Sequence, residues 1–130
     1  MIIKSKWITA DKPGEHSGRI YPEAVLDKAV EEYMKKVNSN KAVGEFRTTF
    51  SHTINLDTVS HKITDIWKED KDYYAYSEVL ATPQGKLLLE FDKRGIDYKL
   101  TPRMMGCYEK DSNIMKDVSI IALDIIERKK

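Results

Sequence analysis

The chain has 130 residues, 22 basic against 21 acidic, and a formal net charge of +1. With 41% hydrophobic and 33% charged residues, and four prolines and six glycines spread along its length, it is neither low-complexity nor disordered, and one core burying roughly two thirds of the unfolded surface is expected. The near-balance of charge excludes the overall basic field that drives sequence-independent nucleic-acid binding.

In chain order, residues 2 to 10 alternate loosely through Ile2, Ile3, Trp7 and Ile8, which predicts a first strand. Asp11 to Ser17 reads as a loop. Pro22 suits the first turn of a helix, and Val25, Leu26, Ala29, Val30, Tyr33, Met34 and Val37 recur at spacings of three and four up to about Asn38. Val43 to Phe46 is a short strand and Arg47 to Thr53 a polar loop. Val59 to Trp67 places Val59, His61, Ile63, Asp65 and Trp67 on one face, and the charged turn Lys68 to Asp72 leads into Tyr73 to Leu80, so a β-hairpin is predicted. Thr82-Pro83 caps a second helix carrying Leu87, Leu88 and Phe91, which Gly95 closes. Ile96 to Leu100 is a strand, Thr101 to Ile114 reads as irregular, and Val118 to Ile126 is a buried last strand rich in β-branched residues. The expected architecture is a single α+β domain over residues 1–130: one mixed or mostly antiparallel, barrel-like sheet with two helices packed on it.

No apolar run reaches the roughly 20 residues of a membrane span, and the first residues lack the apolar stretch of a secretory signal, so a soluble cytosolic protein with no membrane partner is expected. Cys107 is the only cysteine, which excludes an intrachain disulfide and a thiolate zinc site within one chain and fits a reducing compartment. The terminal Arg128-Lys129-Lys130 reads as a solvated tail.

Three histidines, His16, His52 and His61, are the obvious candidates for metal or base chemistry. The separation of His52 from His61 is not the helical spacing of four that a two-histidine zinc motif uses, and no metal or cofactor is expected. His61, in mid-strand, reads as a half-buried, hydrogen-bonded strand residue. Cys107 reads as a small hydrophobe more readily than as a thiol nucleophile, and Tyr73, Tyr74, Tyr76 and Tyr98 as sheet or interface residues rather than a base-stacking platform.

Four stretches carry a family resemblance. Ser17 to Pro22 (Ser-Gly-Arg-Ile-Tyr-Pro) resembles an Asn-Gly-Arg-Ile-Tyr-Pro lead into a first helix. Gly44-Glu45-Phe46, followed by Asn55 to Ile63, is similar to a Gly-Glu-Leu segment with a later Asn-Leu-x-x-Val-Ser-His-x-Ile strand. Thr82-Pro83-Gln84-Gly85 resembles a Thr-Pro-x-Gly helix start, and Val118 to Ile126 a last core strand. Together, from about residue 5 to 127, they resemble the prohead core (head-maturation) serine proteases of tailed phages, which are similar in fold to herpesvirus assemblins.

The resemblance also implies where chemistry would sit. The general-base histidine of that family follows Gly-Glu-Leu after one residue, and the matching positions here are Thr48 and Thr49. The nucleophile lies in a Ser-Ser-Arg-Gly type stretch, matched by Thr101-Pro102-Arg103-Met104, with Pro102 at the serine. Proline has no oxygen to attack a carbonyl, and threonine cannot take and return a proton near neutral pH as imidazole does. His52 or His61 as base, or Thr101 or Cys107 as nucleophile, could restore a reaction only with shifted geometry, where a displacement of about an ångström already matters.

The resemblance therefore implies a non-catalytic head or virion component, auxiliary or decorating, that binds capsid or other head proteins and could form a homo-oligomer. Its expected location is the host cytoplasm during assembly and the phage head afterwards. A maturation protease with a displaced catalytic group and a regulatory partner of the protease or scaffold are the alternatives. Relatives continue past the last core strand, so a segment supplying dimer contacts, a substrate groove or scaffold attachment is expected to be missing or supplied by another chain.

Overall fold

The computed structural model describes residues 1–14, 18–46 and 54–128. Its elements follow the order β-α-β-β-β-α-β-β: β1 (Ile2–Thr9), α1 (Glu23–Asn38), β2 (Val43–Glu45), β3 (Val59–Glu69), β4 (Asp72–Val79), α2 (Pro83–Lys93), β5 (Tyr98–Tyr108) and β6 (Met115–Glu127), with a 3-10 turn at Leu56–Thr58 before β3. No helix among the described residues is long and apolar enough to cross a membrane.

Instead of one sheet there are two. Four antiparallel strands run in the order β1-β4-β3-β2, and β5-β6 form a separate long antiparallel ribbon. A parallel bridge between Phe46 and Ile125 links the ribbon to the β2 edge. At the other side β1 lies beside β5, but no backbone ladder joins them among the described residues. The strands therefore curl toward a barrel and leave a seam between β1 and β5.

The apolar spacing of α1 has its predicted consequence. Leu26, Ala29, Tyr33 and Val37 are buried along one face, which packs over β6 and β3. In α2 the Thr82 hydroxyl accepts from the Gly85 N–H, Pro83 occupies the first turn, and Gly95 takes a left-handed φ of 72° just past the end, as cap chemistry requires. The β3–β4 turn is tighter than expected, because the strands extend to Glu69 and from Asp72 around Asp70 at φ 56°.

Two strand predictions are corrected. A register shift between Ile63 and Asp65 inserts one extra residue, and a bulge reverses the inside-outside alternation beyond it. Ile66 is consequently buried, while Trp67 lies on the outer face, stacked on Tyr74 at 5.8 Å and close to Tyr76 at 4.7 Å. The stretch Thr101 to Ile114, read as irregular, is mostly strand: β5 runs through it to Tyr108, and β6 begins at Met115.

Candidate functional site at the junction of β2, β5 and β6

Arg103 is the centre of a buried ionic network. Its Nε donates to Asp124 Oδ2 at 2.8 Å, and its Nη2 donates to Asp124 Oδ1 at 2.9 Å and to Glu45 Oε2 at 2.7 Å. All three side chains are nearly inaccessible, at 3% to 4% exposure. Glu45 comes from β2, Arg103 from β5 and Asp124 from β6, so the network pins β2 to the β5–β6 ribbon, with which the β2 edge shares only the Phe46–Ile125 bridge among the described residues. The Glu45 backbone N–H donates to Asp124 Oδ1 at 3.0 Å. The Glu45 carboxylate also accepts from the Thr58 hydroxyl and, at 3.4 Å, from the Asn55 N–H, which ties β2 to the lead into β3.

Burial alone would raise the Glu45 pKa, but the hydrogen bonds from Thr58, Arg103 and Asn55 outweigh it and hold the carboxyl below its usual range. Burial likewise opposes the charge on Arg103, and the two carboxylates overcome that effect and raise its pKa. Tyr33 of α1 stands near Asp124; burial first, and then the charge of Asp124, push its phenol far upward. The network is thus a set of locked charges, suited to holding a shape rather than to exchanging protons near neutral pH.

His61 lies one strand away and is fully buried, deeper than the half-buried position expected. Its Nε2 is 2.7 Å from the Leu123 carbonyl oxygen and its Nδ1 is 2.7 Å from Ser60 Oγ. A carbonyl only accepts, so Nε2 carries the proton and Nδ1 accepts from the serine hydroxyl. Burial pushes the imidazole below its usual pKa despite the Leu123 carbonyl and the Asp124 charge. Room for this ring comes from Gly44, whose backbone lies so close that a Cβ there would collide with Leu123 O and the imidazole. Ser60 and His61 form a serine–histidine pair, but both are wholly enclosed, and no substrate atom reaches either.

Thr101 pairs with Asp124 and Pro102 with Leu123. Both are half-buried and both border an open groove of about 520 Å³ along the seam between β1 and β5. Pro102 fits within β5 because a strand proline needs a side with no ladder to feed, and β5 pairs only with β6. Cys107 is exposed and pairs with Asp117. Six residues along the strand separate it from Thr101, about 20 Å at 3.3 Å per residue. His16, Thr48, Thr49 and His52 lie outside the described residues. Among the described residues, no group of three His, Cys, Asp or Glu side chains could hold a metal ion.

Sequence reasoning missed Glu45, Arg103 and Asp124 as a unit. Each is a charge flanked by apolar residues, such as Asp124 in Ala122-Leu123-Asp124-Ile125. Such charges are rarely left buried without partners.

Two antiparallel sheets with α1 and α2, tied at the β2–β5–β6 junction, define the class: an α+β fold of the capsid-assembly-protease type. The family model of the prohead core protein serine proteases matches residues 5–119, and the chain belongs to that family. Among solved structures, the bacteriophage T4 capsid assembly protease gp21 is similar, with a TM-score of 0.88 at 22% identity, covering 98% of this chain and 82% of that one. At that identity the likeness is one of fold. No curated protein matches the sequence.

Proposed function

We propose that this chain is a non-catalytic member of the prohead protease family, retained as an auxiliary or decorating component that binds capsid or other head proteins during assembly in the host cytoplasm and stays with the head. The observation that carries this reading is Pro102. It stands at the position that the family resemblance assigns to the nucleophile, bordering the open groove, and it offers no hydroxyl. Thr48 at the position of the base points the same way. Losing either partner of a serine–histidine pair typically leaves a rate lower by a factor on the order of 10⁴ to 10⁶.

The test is to incubate the purified chain with head proteins and a fluorophosphonate probe, and to analyse purified virions by mass spectrometry. No covalent label, no cleavage and a stoichiometric presence in virions are expected. Specific cleavage or labelling would overturn the reading.

A second reading, a maturation protease with a displaced group, is favoured by a family match that runs through most of the chain. Thr101, beside Arg103 and at the groove, is its best-placed nucleophile among the described residues, and His52 its base. His52→Ala would then abolish cleavage with the fold intact. A regulatory partner of the active protease or scaffold would instead be pulled down with those proteins from infected cells and be absent from mature heads.

A further inference from the structure

The outer face of the four-stranded sheet carries an aromatic centre with charges of opposite sign on its two sides. Alternation turns Ile2, Lys4 and Lys6 of β1 and Tyr74, Tyr76 and Glu78 of β4 away from the buried Trp7, Tyr73, Ala75 and Ser77. The bulge in β3 brings Asp65 and Trp67 to the same face, where an unbroken alternation from Ile63 would have put both inside. None of Trp67, Tyr74 and Tyr76 belongs to the core, and Tyr76 is exposed. Aromatic groups gathered on a solvent-facing sheet are characteristic of contact surfaces rather than of solvated ones.

Strand register sets these side chains in rows. Lys4, Tyr76 and Asp65 form one row, and Lys6, Tyr74 and Trp67 the next. Lys4 Nζ stands 5.8 Å from the Trp67 ring centre and 5.5 Å from that of Tyr74, yet neither Lys4 nor Lys6 makes an ion pair among the described residues. Asp65 is exposed and has no cationic partner there either, while Glu69 accepts from Trp67 Nε1 at 2.9 Å. Thus β1 presents Lys4 and Lys6, β3 presents Asp65 and Glu69, and β4 lies between them as a centre line.

We infer that this face binds a second copy of the chain, in a two-fold dimer whose axis runs parallel to β4. The charge pattern selects both the partner and the orientation. Rotation about an axis along β4 lays β1 of one copy over β3 of the other and keeps every residue in its own row. Lys4 then meets Asp65 of the second copy, Lys6 meets the face of its Trp67, and Tyr74 and Tyr76 meet their own counterparts. An axis across the strands would lay lysines over lysines, which like charge opposes. Glu78 also faces its counterpart, but Lys62 pairs with it in the same row, so that end carries no net charge.

Aligned face-to-face packing is a common way for two sheets to meet. A face three strands wide is at the small end of specific interfaces, so the dimer exchanges with monomer as concentration changes. The inference goes beyond the proposed function and holds whether or not the chain is catalytic.

Sedimentation equilibrium of the full chain over a range of concentrations tests it. Wild type is expected to pass from monomer to dimer as concentration rises. Because a two-fold interface contains every contact twice, Lys4→Glu and Asp65→Lys should each weaken the dimer at least about tenfold. Tyr76→Ser, at the axis, should do the same, whereas Lys28→Glu on α1 should not. The decisive sample is a 1:1 mixture of the Lys4→Glu and Asp65→Lys chains. It brings opposite charges together in both contacts and should recover a heterodimer at a concentration where each variant alone is monomeric. A folding defect could not produce that recovery, because the charges within each chain stay altered. Circular dichroism checks folding, and Lys4→Gln, with a smaller expected weakening, serves where the charge reversal does not fold.

A wild type that stays monomeric at every concentration would overturn the inference and leave the face to a different partner. A dimer indifferent to Lys4→Glu, Asp65→Lys and Tyr76→Ser would overturn it as well, and so would a mixture that stays monomeric.

Discussion

Arg103 meets Asp124 side-on, with Nε and Nη2 each donating to a different carboxylate oxygen at 2.8 Å and 2.9 Å, while the same Nη2 reaches Glu45 across to β2. Removing one member of a buried ionic set leaves the others desolvated and unpaired, at a typical cost of about 3–5 kcal/mol. Arg103→Ala is therefore expected to lower the unfolding free energy by that amount in urea titrations. Arg103→Lys should recover little, because an ammonium cannot reproduce the planar two-point contact. An unchanged midpoint in Arg103→Ala would show that the network does not hold β2 to the β5–β6 ribbon.

The burial of His61 makes stability depend on pH in a defined direction. Its folded pKa is depressed by burial, so the unfolded chain takes up the proton first. The contribution is complete above the unfolded value of about 6.5 and is lost as pH falls from there through the lower folded value. Glu45, also depressed in the folded state, adds a second loss that begins near the unfolded glutamate value of about 4.3. Urea titrations from pH 8 to pH 4 should show declining stability below about pH 6.5. In His61→Gln that upper step should shrink, with the lower one retained. A wild-type curve flat between pH 7 and pH 5 would contradict the buried neutral imidazole.

Two glycines separate crowding from backbone freedom. At Gly44 a methyl group would strike the Leu123 carbonyl and the His61 ring, so Gly44→Ala must displace β2 from β6 or break the His61 bond. Overpacking of this kind costs about 1–3 kcal/mol or more. Gly95 has nothing within 4 Å of its would-be Cβ and a φ of 72°, so Gly95→Ala should cost about 1–2 kcal/mol through the left-handed backbone alone, and Gly95→Asn less. Thermal melts of the three variants would rank them in the order Gly44→Ala, Gly95→Ala, Gly95→Asn; a Gly44→Ala melt equal to wild type would contradict the close approach.

Both helices were legible in the sequence because their signals are local: the three-and-four spacing from Leu26 to Val37, and Thr82-Pro83 with Gly95. The β5 strand is legible only at its start, Tyr98 to Leu100, since beyond it Pro102 and Gly106 read as breakers and Met105 to Tyr108 are all exposed, which removes the alternation that marks a half-buried strand. Trp67 was assigned to the wrong face because a one-residue bulge has no sequence signature strong enough to override period two. For the site, Gly44-Glu45 and Arg103 were visible as pieces of a family pattern. That Glu45, Arg103 and Asp124 form one network depends on contacts 21 to 79 residues apart in sequence, which no local window encodes.

Cys107 provides a test of the thiol route to catalysis that does not depend on the groove. Its side chain is exposed on β5, and its ladder partner Asp117 is six residues along β6 from Leu123, the residue whose carbonyl holds His61. About 20 Å of strand therefore lies between the thiol and that imidazole, far beyond the reach of about 3 Å that proton transfer requires. Native protein should react with Ellman's reagent at one equivalent per chain. Cys107→Ser, a surface change away from any packed feature, should shift stability by less than about 0.5 kcal/mol and leave any head-protein binding unchanged. A thiol that reacts only after unfolding would contradict the exposed placement, and a head-protein cleavage activity that vanished in Cys107→Ser would restore the thiol as a nucleophile, with a base supplied from outside the buried Ser60–His61 pair.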